Sequence, residues 1–219
     1  MYWRNLKILT SKNRLYVNLY ASNTAKISLD NTELEIAQQT NYPWDGKVTL
    51  TVSPKKESEF SIKLRIPGWA RNQVLPGDLY NYKSASAIVT SVTINGVPFF
   101  YQGEKGYITI SRKWKKGDII KLNFPMEVKE VVTNSKVESN IGKVALEYGP
   151  IVYAIEEIDN ATHFDSIKIN ANDTFKVTKE EKLLDGVNTI QTSQLKAIPY
   201  YSWSNRGVGK MKVWIDLKK

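Results

Sequence analysis

Few side chains in the sequence could carry out covalent or metal-assisted catalysis. The absence of cysteine excludes disulfides, thiolate metal sites and a cysteine nucleophile. A Ser/His/Asp triad or a multi-histidine metal site could draw on one histidine only, His163. Because His163 lies in the polar stretch 161–165, we interpret it as a surface loop residue. No glycine-rich phosphate loop is present, and the sequence predicts no cofactor.

Three aspartates in the last third of the chain could supply oxygen ligands for Ca2+. Asp159, Asp165 and Asp173 are the candidates, but they lack the loop spacing that brings calcium ligands together. Isolated aspartates are also typical of turns, where the carboxylate accepts hydrogen bonds from nearby backbone amides. We interpret all three as turn residues.

A glycosidase needs two carboxyl groups that face each other across the scissile bond. Glu147, Glu156 and Glu157 supply the residue type without a spacing that pairs them. Glu147 lies inside the apolar run 144–155, where burial without a partner would raise its pKa. We favour a buried carboxylate paired with an arginine, which is a structural role.

Aromatic side chains are the remaining candidates for ligand binding, because exposed rings on a β-sandwich can stack on the faces of sugars. The first group comprises Tyr42, Trp44 and Trp69, and the second comprises Tyr200, Tyr201 and Trp203. Tryptophans at strand ends also close the open ends of a sandwich while their N–H groups keep a partner. We favour this packing role, and we predict sugar binding no tighter than millimolar.

The elements that must position these residues are β-strands. Phe60, Ile62, Leu64 and Ile66 alternate with polar residues, which predicts a central strand with one buried face. Asn-Gly at 95–96, between two β-rich runs, predicts a hairpin because both residues tolerate positive φ. Strand signals every eight to twelve residues, separated by turn residues, predict an all-β fold of two antiparallel, jelly-roll-like β-sandwich domains.

The charge and hydrophobicity of the sequence limit the classes of partner that the chain could bind. Lys and Arg number 31 against 22 Asp and Glu, for a net charge of +9. The lysines are dispersed over turns and outward strand positions, which is typical of a solvated surface and does not favour a nucleic-acid partner. No apolar run reaches the length of a membrane span, and no signal peptide is visible after Met1.

Six short motifs follow one another along the chain. They are LYVNLY at 15–20, TNYPWDG at 40–46, LRIPGW at 64–69, W and KGD at 114 and 116–118, GKVAL and YGPIVY within 142–153, and NRG and MKVWI within 205–215. In this order they resemble the C-terminal part of the β-L-arabinofuranosidase family of glycoside hydrolases. The resemblance covers nearly the whole chain, and YPWDG and RIPGW are its most specific parts.

The resemblance implies a parent enzyme larger than this chain. Family members have an N-terminal α/α barrel with a cysteine nucleophile, a glutamate acid/base and a zinc ion held mainly by cysteines, followed by β-sandwich domains. None of those residues can be assigned here, because the chain has no cysteine. We expect the chain to begin just after the last catalytic cysteines. The prediction is a non-catalytic region whose partners are the barrel of the parent glycosidase and plant-type arabinose-containing glycans.

Two other functions stay open: an independent carbohydrate-binding module, and a structural or interaction domain without a ligand. If a barrel normally covers part of the first sandwich, its absence exposes apolar surface that favours self-association. We expect this self-association to involve residues 1–13 and the loop at 72–86.

The resemblance also implies a domain arrangement in which the chain leaves the first sandwich and returns to it. The predicted first domain is 1–128 together with 206–219, and the predicted second domain is 129–205. Gly207 and Gly209 flank Val208 and give the backbone freedom to cross between domains. Met211, Val213 and Ile215 then alternate with Lys212 and Trp214, which suits an added strand with one buried face.

Overall fold

A computed structural model describes residues 8–11, 13–162 and 164–218. The chain divides into two compact units. The first contains the residues up to Arg71 together with Ile88–Pro125, and the second contains Asn72–Ala87 together with the residues from Met126 onward. The all-β fold class is confirmed, since strands dominate and the α-helix α1 (Glu157–Asn160) is one turn long. No helix among the described residues is long and apolar enough to cross a membrane.

The strands are numbered in chain order. They are β1 (Ile8–Ser11), β2 (Arg14–Val17), β3 (Asn23–Ser28), β4 (Glu33–Thr40), β5 (Lys47–Pro54), β6 (Ser58–Arg65), β7 (Tyr80–Tyr82), β8 (Ser91–Ile94), β9 (Val97–Pro98), β10 (Tyr107–Trp114), β11 (Asp118–Asn123), β12 (Val128–Thr133), β13 (Lys143–Tyr148), β14 (Ile151–Glu156), β15 (Lys168–Ile169), β16 (Lys176–Glu180), β17 (Val187–Gln191), β18 (Lys196–Pro199), β19 (Met211–Lys212) and β20 (Ile215–Leu217).

The first unit is a sandwich of two sheets. One sheet has the order β1-β2-β6-β10, and the other has the order β3-β4-β5-β11-β8-β9. β6 lies between β2 and β10, and its inward side chains Phe60, Ile62 and Leu64 are buried, as the alternation predicts. Alternating residues of the other sheet supply the opposite side of the core: Leu34, Ile36, Leu50, Val52, Ile120 and Leu122. The Asn-Gly hairpin is also confirmed, with Asn95 and Gly96 at positive φ between β8 and β9.

The sheets are mainly antiparallel, with parallel pairing between β2 and β6 and between β15 and β20. Parallel neighbours need a long crossover connection. Between β2 and β6 the chain makes this crossover by forming β3, β4 and β5 in the other sheet.

The second unit is built on one branched sheet. Its main path runs β15-β20-β13-β14-β18-β17-β16, while β12 pairs with both β13 and β7, and β19 pairs with β14. The apolar run 144–155 forms the hairpin of β13 and β14 at the centre of this sheet. Most of its side chains are buried, including Val144, Leu146, Tyr153 and Ile155.

The expected return of residues 206–219 to the first sandwich is wrong. β19 pairs with β14, and β20 pairs with β13 and β15, so the described C-terminal strands belong to the second unit. The predicted single strand is also interrupted: β19 and β20 are separated at Val213 and Trp214, and of the predicted inward residues Met211, Val213 and Ile215 the structure buries Ile215 alone. In addition, an alternating pattern carries no information about the partner strand. The ends of β13 and β14 away from their turn offered hydrogen-bonding edges, and the C-terminal strands occupy them.

The excursion between units occurs at Asn72–Ala87, which was assigned to the first domain as a loop. This segment contributes β7 to the second unit, where Tyr80, Asn81 and Tyr82 pair with β12. The chain crosses again after Pro125, close to the division expected near residue 128. Leu75 and Leu79 of the segment are exposed, but residues 1–7 and 12 lie outside the described residues. Self-association through these two stretches stays a prediction.

Candidate functional site

The first aromatic group lies at one end of the first unit. Tyr42 comes from the turn between β4 and β5, and Trp69 comes from the 3₁₀ turn Trp69–Arg71 after β6. Their rings stack with centroids 6.4 Å apart, and both pack against Phe124, at 6.1 and 5.8 Å. Trp69 is only 8% exposed, and its Nε1 donates to the Tyr42 hydroxyl at 3.3 Å.

This first group is therefore a packing cluster that closes the end of the sandwich. Tyr20 extends it, 5.2 Å from Phe124, and donates its hydroxyl proton to the Arg65 carbonyl at 2.7 Å. Burial raises the pKa of both Tyr20 and Tyr42, which keeps them neutral. Trp44, the remaining predicted member, is half-buried. The placement of Trp69 agrees with the packing role favoured from the sequence.

The second aromatic group is exposed on the second unit. Tyr200 and Tyr201 belong to the 3₁₀ turn Tyr200–Ser202 that follows β18, and Trp203 comes next. Their exposed fractions are 44%, 62% and 39%. The turn is fixed by Trp203 N–H, which donates to the Tyr200 carbonyl at 3.2 Å, and by Ser202 Oγ, which donates to the Pro199 carbonyl at 2.8 Å. These rings are available to a ligand.

Arg206 anchors the chain that follows these rings. Its guanidinium donates to Glu156 at the end of β14 and to both carboxylate oxygens of Asp159 in α1. Ser204, at positive φ, donates its backbone N–H to Glu156 Oε1 at 2.6 Å. The bonds to both carboxylates raise the pKa of Arg206, so it stays charged. The arginine pairing that was expected at Glu147 is thus found at Glu156.

Two further charged residues extend this network. Lys196 Nζ lies 3.8 Å from Asp159 and donates to Glu180 at 2.8 Å. Glu180 also accepts from Thr189 and Gln191, both at 3.0 Å. Because Glu156 and Asp159 share one guanidinium, they are not disposed as an acid and a base across an open cleft. The network supports the turn and does not form a catalytic pair.

Glu147 has a different partner from the predicted arginine. The Tyr82 hydroxyl of β7 donates to Glu147 Oε2 at 2.7 Å. Lys129 Nζ lies 4.6 Å from the centre of the Tyr82 ring and donates to Asn72 Oδ1 at 3.0 Å. Burial raises the pKa of Glu147, although the Tyr82 hydrogen bond and the Lys129 charge oppose that shift. The expectation failed because β7, which carries Tyr82, was assigned to a loop.

The other candidates are dispersed over turns. Asp165 pairs with Lys210 at 2.9 Å, and Asp173 accepts from the backbone N–H of Asn170 at 2.8 Å. Glu157 Oε2 accepts from the backbone N–H of Lys210 at 3.2 Å. His163 lies outside the described residues.

The zinc site that the resemblance implies for a parent enzyme does not fit the residues of this chain. The sequence has no cysteine, and the described part contains no group of three His, Asp or Glu side chains placed to hold a metal ion. We therefore derive no metal-dependent step. The exposed rings of Tyr200, Tyr201 and Trp203, on a segment that Arg206 anchors, stay a predicted contact surface.

Arg206 is the site residue that the sequence reasoning missed. It stood in the NRG motif, but no role was assigned to its side chain. The one sequence feature that could have indicated its role is an arginine between turn residues, with acidic residues some 50 positions earlier in the chain. That separation makes the pairing invisible to spacing rules, which act within one helix or one hairpin.

Comparisons with known proteins agree with the motifs. The family description "Beta-L-arabinofuranosidase, GH127 middle domain" matches residues 14–126, and "Glycoside hydrolase family 127 C-terminal domain" matches residues 128–216. The non-reducing end β-L-arabinofuranosidase of Bifidobacterium longum subsp. longum is 30% identical, and the match covers 89% of this chain and 32% of that protein.

Two solved structures are similar over almost all of this chain. A GH127 β-arabinofuranosidase has 40% identity and a TM-score of 0.89, covering 94% of this chain and 35% of that one. The GH127 β-L-arabinofuranosidase of Geobacillus stearothermophilus T6 has 36% identity and a TM-score of 0.83, covering 96% and 34%. The chain spans about a third of the length of these relatives. It therefore belongs to glycoside hydrolase family 127, of which it carries the middle and C-terminal domains.

Proposed function

We propose that this chain is the non-catalytic β-sandwich region of a β-L-arabinofuranosidase-like glycoside hydrolase, and that it supports the catalytic α/α barrel of the parent enzyme. The observation that carries the proposal is the pair of family matches. They account for residues 14–126 and 128–216, whereas about two thirds of each relative has no counterpart here. The Glu156 and Asp159 carboxylates both accept hydrogen bonds from Arg206, and this pairing also supports a role without catalysis.

The first test is an assay of the purified chain on an aryl β-L-arabinofuranoside, with and without added zinc. We expect no turnover in either condition, because no nucleophile and facing acid/base pair can be assigned. The full-length Geobacillus relative, assayed in parallel, is the positive control. Turnover that co-purifies with the chain through successive columns would contradict the non-catalytic assignment.

The supporting role is tested by supplying the barrel in trans. The catalytic part of the Geobacillus relative, without its middle and C-terminal domains, is expressed alone, with this chain, or with an unrelated β-sandwich of similar size. We expect this chain to co-purify with the barrel and to slow its thermal inactivation, because it covers apolar surface that the truncation exposes. Equal inactivation rates in the three samples would contradict the proposal.

A further inference from the structure

The turn after β18 carries two exposed rings close together in the chain. Tyr200 opens the 3₁₀ turn, and Trp203 follows the turn in an extended conformation. The hydrogen bond from Trp203 N–H to the Tyr200 carbonyl holds the backbone of the two residues in place. Within the described residues, neither the Tyr200 hydroxyl nor the Trp203 indole N–H has a hydrogen-bond partner. Two partly exposed rings, each with a polar group that has no partner among the described residues, are thus carried by one short segment.

The turn is held in place before any ligand arrives. Ser202 is buried and bonded to Pro199, Ser204 is bonded to Glu156, and Arg206 joins Glu156 to Asp159. A surface that is ordered in advance loses little conformational entropy on binding. Even a small contact area can therefore give measurable affinity.

The local charges favour a neutral ligand. The carboxylates of Glu156 and Asp159 are balanced by the Arg206 guanidinium and by the Lys196 ammonium group, which lies 3.8 Å from Asp159. This pairing leaves little net charge in the group to attract an ionic ligand. A sugar combines an apolar face of C–H groups with an edge of hydroxyl groups. A ring can cover the face, while the tyrosine hydroxyl and the indole N–H can bond to the edge.

We propose that Tyr200 and Trp203 form a stacking site for a neutral, arabinose-containing glycan. The choice of arabinose rests on the proposed function, because the relatives are β-L-arabinofuranosidases. The rings stand on an open turn and not in a deep pocket, so the dissociation constant should be near 1 mM. The site would hold an arabinan-like chain beside the parent enzyme without taking part in catalysis.

The test is an NMR titration of the full chain with methyl β-L-arabinofuranoside and with arabino-oligosaccharides. We expect saturable shifts at the Trp203 indole N–H and at the amides around Tyr200, with a dissociation constant near 1 mM. Trp203→Ala and Tyr200→Ala should each weaken binding at least tenfold, and their remaining spectra should show an intact fold. Phe100→Ala is the matched control, since Phe100 is 92% exposed in the first unit and should leave binding unchanged.

Three results would overturn this site. They are no saturable shift with any arabinose-containing sugar, equal binding by the Trp203→Ala variant, and equal binding of maltotriose, which contains no arabinose. Concentration-dependent shifts at Trp203 without added sugar would assign the rings to self-association and would also count against it. The titration uses the chain without a barrel, so its failure is distinct from failure of the supporting role.

Discussion

The two units place their aromatic side chains in opposite environments. In the first unit, Trp69 and Tyr42 stack inside the end of the sandwich, against Phe124. In the second unit, Tyr200 and Trp203 face outward, while a carboxylate–guanidinium pair, Glu156 with Arg206, lies below them. The difference teaches that a ring next to a strand end packs inward when apolar strands converge on it. It stays exposed when the turn that carries it is anchored by polar groups.

The largest expected effect comes from removing a buried ring. Trp69→Ala should lower the free energy of unfolding of the first unit by about 3 kcal/mol, because it leaves a cavity beside Tyr42 and Phe124. Trp203→Ala, the matched substitution at an exposed ring, should change stability by less than about 0.5 kcal/mol. Amide hydrogen exchange at increasing urea concentration measures both changes. The β6 amides report the stability of the first unit in Trp69→Ala, and the β14 amides report the stability of the second unit in Trp203→Ala. Equal losses of unfolding free energy in the two variants would contradict the assignment of Trp69 to packing and of Trp203 to an exposed surface.

The second-largest expected change in stability comes from removing the ion pair between Arg206 and Glu156. Arg206→Ala should destabilise the second unit by about 2 kcal/mol, because it leaves the buried Glu156 carboxylate without its cation. Lys55→Ala removes an exposed ion pair with Glu33 and should change stability by less than about 0.5 kcal/mol. Urea unfolding of both variants provides the measurement. A loss at Arg206 no larger than at Lys55 would mean that the network does not hold the turn.

Gln38 is a polar exception in the interior of the first unit. It is 4% exposed on the inward face of β4, and neither its amide oxygen nor its amide nitrogen has a hydrogen-bond partner among the described residues. Gln38→Leu should therefore raise the free energy of unfolding by about 1 kcal/mol. Gln39→Leu, on the exposed face of the same strand, is the control and should give no gain. A lower unfolding midpoint for Gln38→Leu would show that the amide has a stabilising role.

The smallest effect is a pH dependence in the second unit. Burial raises the pKa of Glu147 above its ordinary value of 4.5, so its protonated form is favoured in the folded state. The stability it contributes is fully present below pH 4.5 and is lost as the pH rises through the raised pKa. Glu147→Gln should remove this part of the slope, measured by urea unfolding from pH 4 to pH 8. The Tyr82 hydroxyl and the Lys129 ammonium group face the same carboxyl group, and both oppose the rise of its pKa. An unchanged slope in Glu147→Gln would contradict a raised pKa at Glu147.

Local patterns in the sequence predicted much of the fold. The alternation at Phe60, Ile62 and Leu64 specified β6 and its buried face, and Asn95 with Gly96 specified the hairpin of β8 and β9. These features depend on residues within a few positions of one another. The sequence therefore indicated the all-β class and many of the strands.

Pairings between distant segments could not be predicted in the same way. β7 is three residues long and pairs with β12 about 50 positions later, and no local pattern marks such a strand. The alternation at 211–215 predicted one strand, whereas the chain forms β19 and β20 with a break at 213–214. The partners of these strands were misassigned because an alternating pattern does not specify the neighbouring strand. Ring exposure at Trp69 and Trp203 likewise depends on what converges on each ring in three dimensions.

The most direct test of the central claim is a chimeric enzyme. The middle and C-terminal domains of the Geobacillus relative are replaced by residues 14–216 of this chain, the stretch that the two family matches cover. We predict a soluble chimera that hydrolyses an aryl β-L-arabinofuranoside, whereas the same barrel without these domains loses solubility or activity. A control that rejoins the relative's own domains at the same junction shows that the junction is tolerated. If that control is active and the chimera is soluble but inactive, or does not fold, then this chain does not support a family 127 barrel.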